Sequence, residues 1–63
     1  LTQREQEIIA LIARAEQAAE IAEQLYISPT TVNRHRENIK AKLGLRTIAQ
    51  IVGYYYEHLR EKE

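Results

Sequence analysis

The chain has 63 residues with nine basic and nine acidic side chains, so its formal net charge is zero. It has no cysteine, which excludes a disulfide framework and a thiolate metal site, and its length suits one small domain, residues 1–63. No apolar run is long enough to cross a membrane and no signal peptide opens the chain, so we expect a cytoplasmic protein without a membrane partner. Because the first residue is Leu1 rather than methionine, we also expect a fragment of something longer.

The charges are distributed unevenly along the chain. Residues 1–26 carry two basic and five acidic side chains, whereas residues 27–46 carry five basic side chains and one acidic one. A basic block inside a neutral chain is typical of a nucleic-acid-binding surface. A solvated helix face would show the same pattern, so charge alone leaves both interpretations open.

Local signals predict helices and no strand. Thr2 followed by Glu5 forms a capping box that predicts a first helix. Ser28-Pro29 predicts the start of another helix, and Gly44 its end after Leu43. Thr47 followed by Gln50 is a second capping box and predicts a last helix that runs to about Leu59, with fraying at residues 60–63.

The segment from Glu20 to Val32 carries the prediction of the fold. Ile21, Ala22 and Leu25 share one face of a helix, and an apolar stripe of Val32, Ile39 and Leu43 lies on the next helix. Two helices joined by so short a turn, with Ile27 beneath it, are typical of a helix-turn-helix unit.

These residues resemble the LuxR/GerE-type domain of bacterial transcription regulators, including the NarL- and FixJ-like response regulators. The resemblance covers about the first 52 residues. It implies an all-α, four-helix domain that binds double-stranded DNA through its third helix, commonly as a dimer through its fourth. The matching residues are Leu1-Thr2, Arg4-Glu5, Leu11-Ile12-Ala13, Glu20-Ile21-Ala22, Leu25, Ile27-Ser28, Thr31-Val32, His35-Arg36, Asn38-Ile39 and Lys42-Leu43-Gly44-Leu45.

The linker between the first two helices departs from that family. Members of the family usually have Gly, then Ser or Thr, then Asn-Lys at these positions. This chain has Ala15, Gln17 and Ala18-Ala19 instead, which are helix formers and give no signal for a helix to end. Two alternatives follow. Either the turn forms with Ala15 in a left-handed conformation, or one helix of about 34 Å runs from Gln3 to Leu25 and the chain swaps domains with a second copy about a hinge. Helix-forming residues continue through the whole linker, and this regular pattern favours deliberate redesign of the loop. The predicted hinge residues are Ala15, Glu16, Gln17 and Ala18.

A helix from Pro29 to Leu43 with that buried stripe has an opposite face suited to reading DNA. Asn33 has the groups to pair with adenine, Arg34 with guanine, and Glu37 with cytosine, although a solvent-facing spacer is the simpler interpretation of Glu37. For the other two, an ordinary exposed helix surface is the alternative. The predicted phosphate contacts are Thr30, Thr31, Arg36, Lys40, Lys42 and Arg46, with capping (Thr31) or packing as the alternative roles.

The last predicted helix contains three consecutive tyrosines, which cannot all face one core. At least one should be exposed, and exposed aromatic residues suggest a partner surface. We predict a homodimer, with the domain-swapped form as one possibility. The predicted interface residues are Ile51, Tyr54, Tyr55 and His58.

No catalytic arrangement is visible. The chain has no Cys, no Asp and no Gly-rich phosphate loop, and His35 and His58 lie on different predicted helices without matching ligands. We therefore expect no enzyme, metal, cofactor or small-molecule substrate. A redesigned helical assembly module, with DNA binding lost or incidental, is the alternative function.

Overall fold

The computed structural model describes residues 1–59, and every regular element in that range is helical. The helices are α1 (Gln3–Ala13), α2 (Ala18–Leu25), α3 (Pro29–Leu43) and α4 (Ile48–Tyr54), and a π-helical turn (Tyr55–Leu59) continues α4. The predicted all-α, four-helix fold is confirmed, whereas the predicted fraying of residues 60–63 lies outside the described residues. Within residues 1–59, no helix combines the length and the apolar character that a membrane crossing requires.

Three helix ends, the start of α1 and both ends of α3, form at the predicted capping residues. The Thr2 hydroxyl accepts the Glu5 N–H at 3.1 Å, and the Glu5 carboxylate accepts the Thr2 N–H at 2.8 Å. The Ser28 hydroxyl accepts the Thr31 N–H at 3.1 Å. Gly44 ends α3 with a φ of 68°, a conformation that glycine adopts without steric cost. These local hydrogen bonds set where each helix begins, and packing decides how the helices sit together.

The core is built mainly from isoleucine. α2 packs on α3 as a helix-turn-helix pair, and α1 packs across α3, α4 and the π-helical turn. This arrangement anchors α3 from behind and leaves its other side free. The buried core residues are Ile8, Ile9, Ile12, Ile21, Ala22, Val32, Ile39 and Ile51.

The long fused helix is wrong for this chain. α1 ends at Ala13 and α2 begins at Ala18, and Ala15 between them has a φ of 66°. The Ala15 N–H donates to the Ile12 carbonyl at 2.9 Å, and the Glu20 carboxylate accepts the Gln17 N–H at 2.7 Å. The turn alternative, with alanine in the left-handed region, is therefore the one that the structure has.

Burial explains why the turn forms without a glycine. A left-handed alanine costs about 1–2 kcal/mol. Ile8, Ile9 and Ile12 are buried on α1, and burying one isoleucine side chain contributes about 1.5–3 kcal/mol. A straight helix would lift all three out of the core of their own chain, so the turn is the better solution within one copy. Exchange of α1 between two copies remains a prediction, now without the fused helix that prompted it.

Candidate nucleic-acid interface

One side of α3 is exposed along most of its length. We call this side the outer face. On the opposite side of the same helix, Val32 and Ile39 are fully buried and Leu43 is half-buried. The predicted orientation of α3 is therefore confirmed, and none of the outer face is needed to fill the core. The outer face consists of Thr30, Asn33, Arg34, Glu37 and Ala41.

Arg34 is one of two cations in residues 1–59 whose side chains are exposed and make no hydrogen bond or ion pair in that range. The Arg46 side chain is also exposed and without such a partner in this range, although its backbone N–H donates to the Gln50 side chain at 2.6 Å. Neither guanidinium has to leave a protein partner before it contacts a ligand.

Two other basic side chains of α3 already interact with residues of the same helix. The Arg36 Nη1 donates to the Asn33 Oδ1 at 3.3 Å. The Lys40 Nζ lies 2.8 Å from the Glu37 carboxylate, one helical turn away. Lys40 is half-buried, so its stem packs while its ammonium neutralises Glu37. The Glu37 carboxylate therefore does not face an approaching polyanion as an isolated negative charge.

Lys42 forms an ion pair with a residue that is far from it in the sequence. Its Nζ lies 2.9 Å from both carboxylate oxygens of Glu5, at the start of α1. The Thr2 backbone N–H and the Lys42 ammonium, which donate to the Glu5 carboxylate, lower its pKa to about 2. Glu5 is only 3% exposed, whereas the Lys42 side chain is half exposed. The pair ties the end of α3 to the beginning of α1.

The two predicted phosphate-contacting threonines lie in different surroundings. Thr30 is exposed on the outer face, whereas Thr31 is half-buried and its hydroxyl lies 2.9 Å from the Ser28 hydroxyl. The Thr31 hydroxyl therefore belongs to the cap of α3, the alternative that the sequence had left open. Thr30 is exposed, and among residues 1–59 its hydroxyl makes no hydrogen bond.

The predicted dimer surface needs one correction. Ile51 is fully buried because its side of α4 packs in the core, so it is not a surface contact. Tyr54 and Tyr55 are half-buried and His58 is exposed, with the Tyr54 and His58 rings 4.7 Å apart. The prediction that at least one tyrosine is exposed is confirmed by Tyr56, at 52%.

Sequence reasoning missed Tyr26. It ends α2 with a φ of 59° and its side chain is 95% exposed, an uncommon setting for an aromatic residue. No glycine marks this position, so the sequence had no signal for its left-handed backbone. The bond between Arg36 and Asn33 was also missed, although their spacing of three residues on one helix is the signal that would have indicated it.

Histidine offers no metal site in the described part of the chain. His35 is half-buried in α3, and among residues 1–59 its side chain makes no hydrogen bond. In the same range no three residues with side chains that bind metals lie close enough to hold an ion. The outer face of α3 is thus the principal candidate site.

Comparison with known proteins agrees with this geometry. Residues 1–55 match the family described as bacterial regulatory proteins, luxR family. The chain belongs to the LuxR family. This confirms the resemblance seen in the sequence, and the family is one of regulators rather than enzymes.

Two curated relatives are much longer than this chain. The chain is 43% identical over 58 residues to the transcriptional regulatory protein MctR of Rhizobium johnstonii, covering 92% of this chain and 27% of that protein. It is 44% identical over 54 residues to the oxygen regulatory protein NreC of Staphylococcus aureus, covering 86% of this chain and 25% of that protein. The chain thus spans about a quarter of the length of these relatives.

Proposed function

We propose that this chain is the DNA-binding output domain of a bacterial transcription regulator in the cytoplasm. It binds double-stranded DNA sequence-specifically, with α3 in the major groove. The observation that carries this proposal is the outer face, where Asn33 and Arg34 stand exposed on a helix that Val32 and Ile39 anchor from behind. Membership of the LuxR family and similarity to a transcriptional regulatory protein support it.

The base contacts are assigned to the N-terminal and middle parts of the outer face, which a recognition helix presents to base edges. Arg34 pairs with the O6 and N7 atoms of guanine, and within the described part of the chain no side chain competes for its guanidinium. Asn33 pairs with the N6 and N7 atoms of adenine. Glu37 accepts from cytosine N4, and its ion pair with Lys40 reduces the repulsion between its carboxylate and the phosphates.

The phosphate contacts are ranked by how free each side chain is. Arg46 and the Thr30 hydroxyl are exposed and available. Lys40 remains close to Glu37, and Lys42 would have to leave Glu5, so their contribution to DNA affinity is smaller. The proposed set is completed by Arg36 in the second turn of α3, whereas the Thr31 hydroxyl is occupied by the Ser28 cap.

The experiment is selection of bound duplexes from a randomised pool, followed by fluorescence anisotropy of a selected duplex over a range of salt concentrations. We expect a defined base motif and an affinity that falls linearly on a log–log plot against salt. Scrambled duplex of the same length is the control for non-specific binding. A pool that yields no motif, together with affinity that is independent of salt, would contradict the proposal.

We further propose that the domain acts as a homodimer on a two-fold-related site. The surface assigned to the contact comprises Tyr54, Tyr55 and His58, where half-buried rings lie next to an exposed histidine. Aromatic residues are enriched at such contacts. Light scattering with and without duplex measures the mass, and a selected motif without two-fold symmetry, bound by one copy, would contradict the dimer.

A second candidate function is a helical assembly module in which two copies exchange α1. The observation that favours it is the left-handed Ala15 in a linker without glycine, which leaves strain in the closed turn. It predicts a dimer that persists without DNA and that the double change Ala15→Gly and Gln17→Ser shifts toward monomer. A monomeric mass at high protein concentration would rule this candidate out.

A further inference from the structure

The amide of Asn33 is held by a neighbouring side chain of the same helix. Arg36 lies three residues later, and its Nη1 donates to the Asn33 Oδ1 at 3.3 Å. Long side chains on an α-helix lean back toward its N-terminus, which brings position i+3 over position i. Arg36 is half-buried while Asn33 is exposed, so the arginine stem is supported by the protein and the amide faces solvent.

We propose that Arg36 is a positioning residue that orients the Asn33 amide for adenine and against guanine at one base pair. This inference rests on the proposed function, because it assigns a cause to the base preference of Asn33. It gives Arg36 a role in specificity rather than only the phosphate contact predicted from its charge.

The chemistry of the two side chains fixes the orientation. A guanidinium group has only donors, so the Asn33 amide must turn its oxygen, not its nitrogen, toward Arg36. Rotating the amide by 180° would bring its N–H groups against the cation. In the fixed orientation the oxygen keeps a second lone pair, and both hydrogens on the nitrogen stay available.

This orientation matches one purine better than the other. Adenine presents a donor (N6) and an acceptor (N7) in the major groove, which pair with one amide oxygen and one amide N–H. Guanine presents two acceptors (O6 and N7). An amide oxygen that cannot turn away is then placed against the guanine O6, and two acceptors without a hydrogen between them repel each other. Fixing the amide therefore penalises guanine, whereas a freely rotating Asn33 would discriminate less.

The alternative role for Arg36, a phosphate contact, has different consequences. A phosphate contact strengthens binding to every sequence by the same factor and contributes to the salt dependence. It leaves the ratio of affinities for two bases unchanged. The adenine-to-guanine ratio at the position read by Asn33 is thus the quantity that separates positioning from simple attraction.

The test uses a duplex selected by the wild-type chain and a second duplex with guanine in place of adenine at one position. The position read by Asn33 is identified as the base pair at which the Asn33→Ala variant no longer prefers adenine. Arg36→Lys keeps a side chain that has donors only, whereas Arg36→Met removes every donor, and both residues suit a helix. Circular dichroism verifies that each variant is folded, and Lys40→Met serves as the matched control.

We expect Arg36→Met to reduce the adenine-to-guanine affinity ratio about two- to tenfold, the worth of one hydrogen bond, and Arg36→Lys to retain most of it. In the Asn33→Ala background neither change should alter the ratio, and Lys40→Met should weaken both duplexes equally. An equal ratio for wild type, Arg36→Lys and Arg36→Met would overturn the inference, as would an Asn33→Ala variant that loses no preference. Absence of duplex binding by the wild-type chain would instead overturn the proposed function.

Discussion

Glu5 and Arg34 use their charges in opposite ways. Glu5, at the start of α1, is almost completely buried and is bonded to the Thr2 N–H and the Lys42 ammonium. Arg34, on the outer face of α3, is exposed and has no such partner among residues 1–59. The same contrast holds for their surroundings, since α1 supplies three buried isoleucines whereas the outer face supplies none.

This difference separates stability from recognition. Residues that hold α1 against the rest of the domain should affect unfolding when they are changed and leave base preference intact. The polar and charged side chains of the outer face should affect DNA binding when they are changed and leave unfolding intact. The experiments on Arg34 and Lys42 below measure both DNA binding and unfolding, so that a crossed effect would break the separation.

The largest effect is expected for Arg34→Ala. Loss of a bidentate contact to guanine should weaken binding to the selected duplex by about 1–3 kcal/mol and relax the preference at one base pair. Thermal unfolding should stay within about 0.5 kcal/mol of wild type, because the Arg34 side chain has no partner among residues 1–59. The matched control is Arg14→Ala, an exposed arginine outside α3, and comparable losses in both variants would argue against base reading by Arg34.

The next effect concerns acid stability through Glu5. Its pKa is lowered from 4.5 to about 2 in the folded chain, so its contribution is fully present above pH 4.5 and is lost as the pH falls toward 2. We therefore expect Glu5→Gln to lower the Tm at neutral pH, with the difference from wild type disappearing between pH 4.5 and 2. Glu7→Gln, which changes an exposed pair with Arg4 on the same helix, is the control and should alter the Tm little. A constant difference at every pH would mean that the Glu5 carboxylate is not what stabilises the fold.

A smaller gain in stability is expected for Ala15→Gly. Glycine removes the left-handed strain at a φ of 66° and should stabilise the chain by up to about 1 kcal/mol. Ala41→Gly, inside α3, should instead destabilise by roughly 0.5–1 kcal/mol, because glycine is a poor helix former. Denaturant unfolding of both variants checks the signs, and equal destabilisation would show that Ala15 does not adopt the left-handed conformation in solution.

The smallest effect compares the free cation Arg46 with the paired cation Lys42. Arg46→Met should reduce the slope of log affinity against log salt by about 1, as expected for loss of one phosphate contact. Lys42→Met should leave the slope nearly unchanged but lower the Tm, since its ammonium is bonded to Glu5. Equal reductions in slope would indicate that Lys42 leaves Glu5 when DNA binds.

Local signals predicted much of this fold. The Thr2–Glu5 box, Ser28-Pro29, Gly44 and Thr47 each involve residues within one helical turn, and each marks a helix end that the structure confirms. The outer face was also predictable, because an apolar stripe at helical spacing defines the side opposite to it.

What the sequence left undecided depends on contacts between distant residues. The turn at Ala15 exists because α1 is buried against α3 and α4, and local propensity alone favours a continuous helix. The ion pair between Glu5 and Lys42 joins residues 37 positions apart. Ile51 was assigned to the dimer surface because the resemblance indicated only that the fourth helix forms this surface. It did not indicate which side of that helix packs in the core.

The central claim, that the outer face of α3 contacts DNA, is tested most directly by nuclear magnetic resonance of the labelled chain during titration with a selected duplex. The account predicts that the largest changes in chemical shift fall on Thr30, Asn33, Arg34 and Glu37, with little change at the exposed Glu20 and Glu23 of α2. Changes concentrated on α2 or on the tyrosines after α4, with the outer face unaffected, would contradict it.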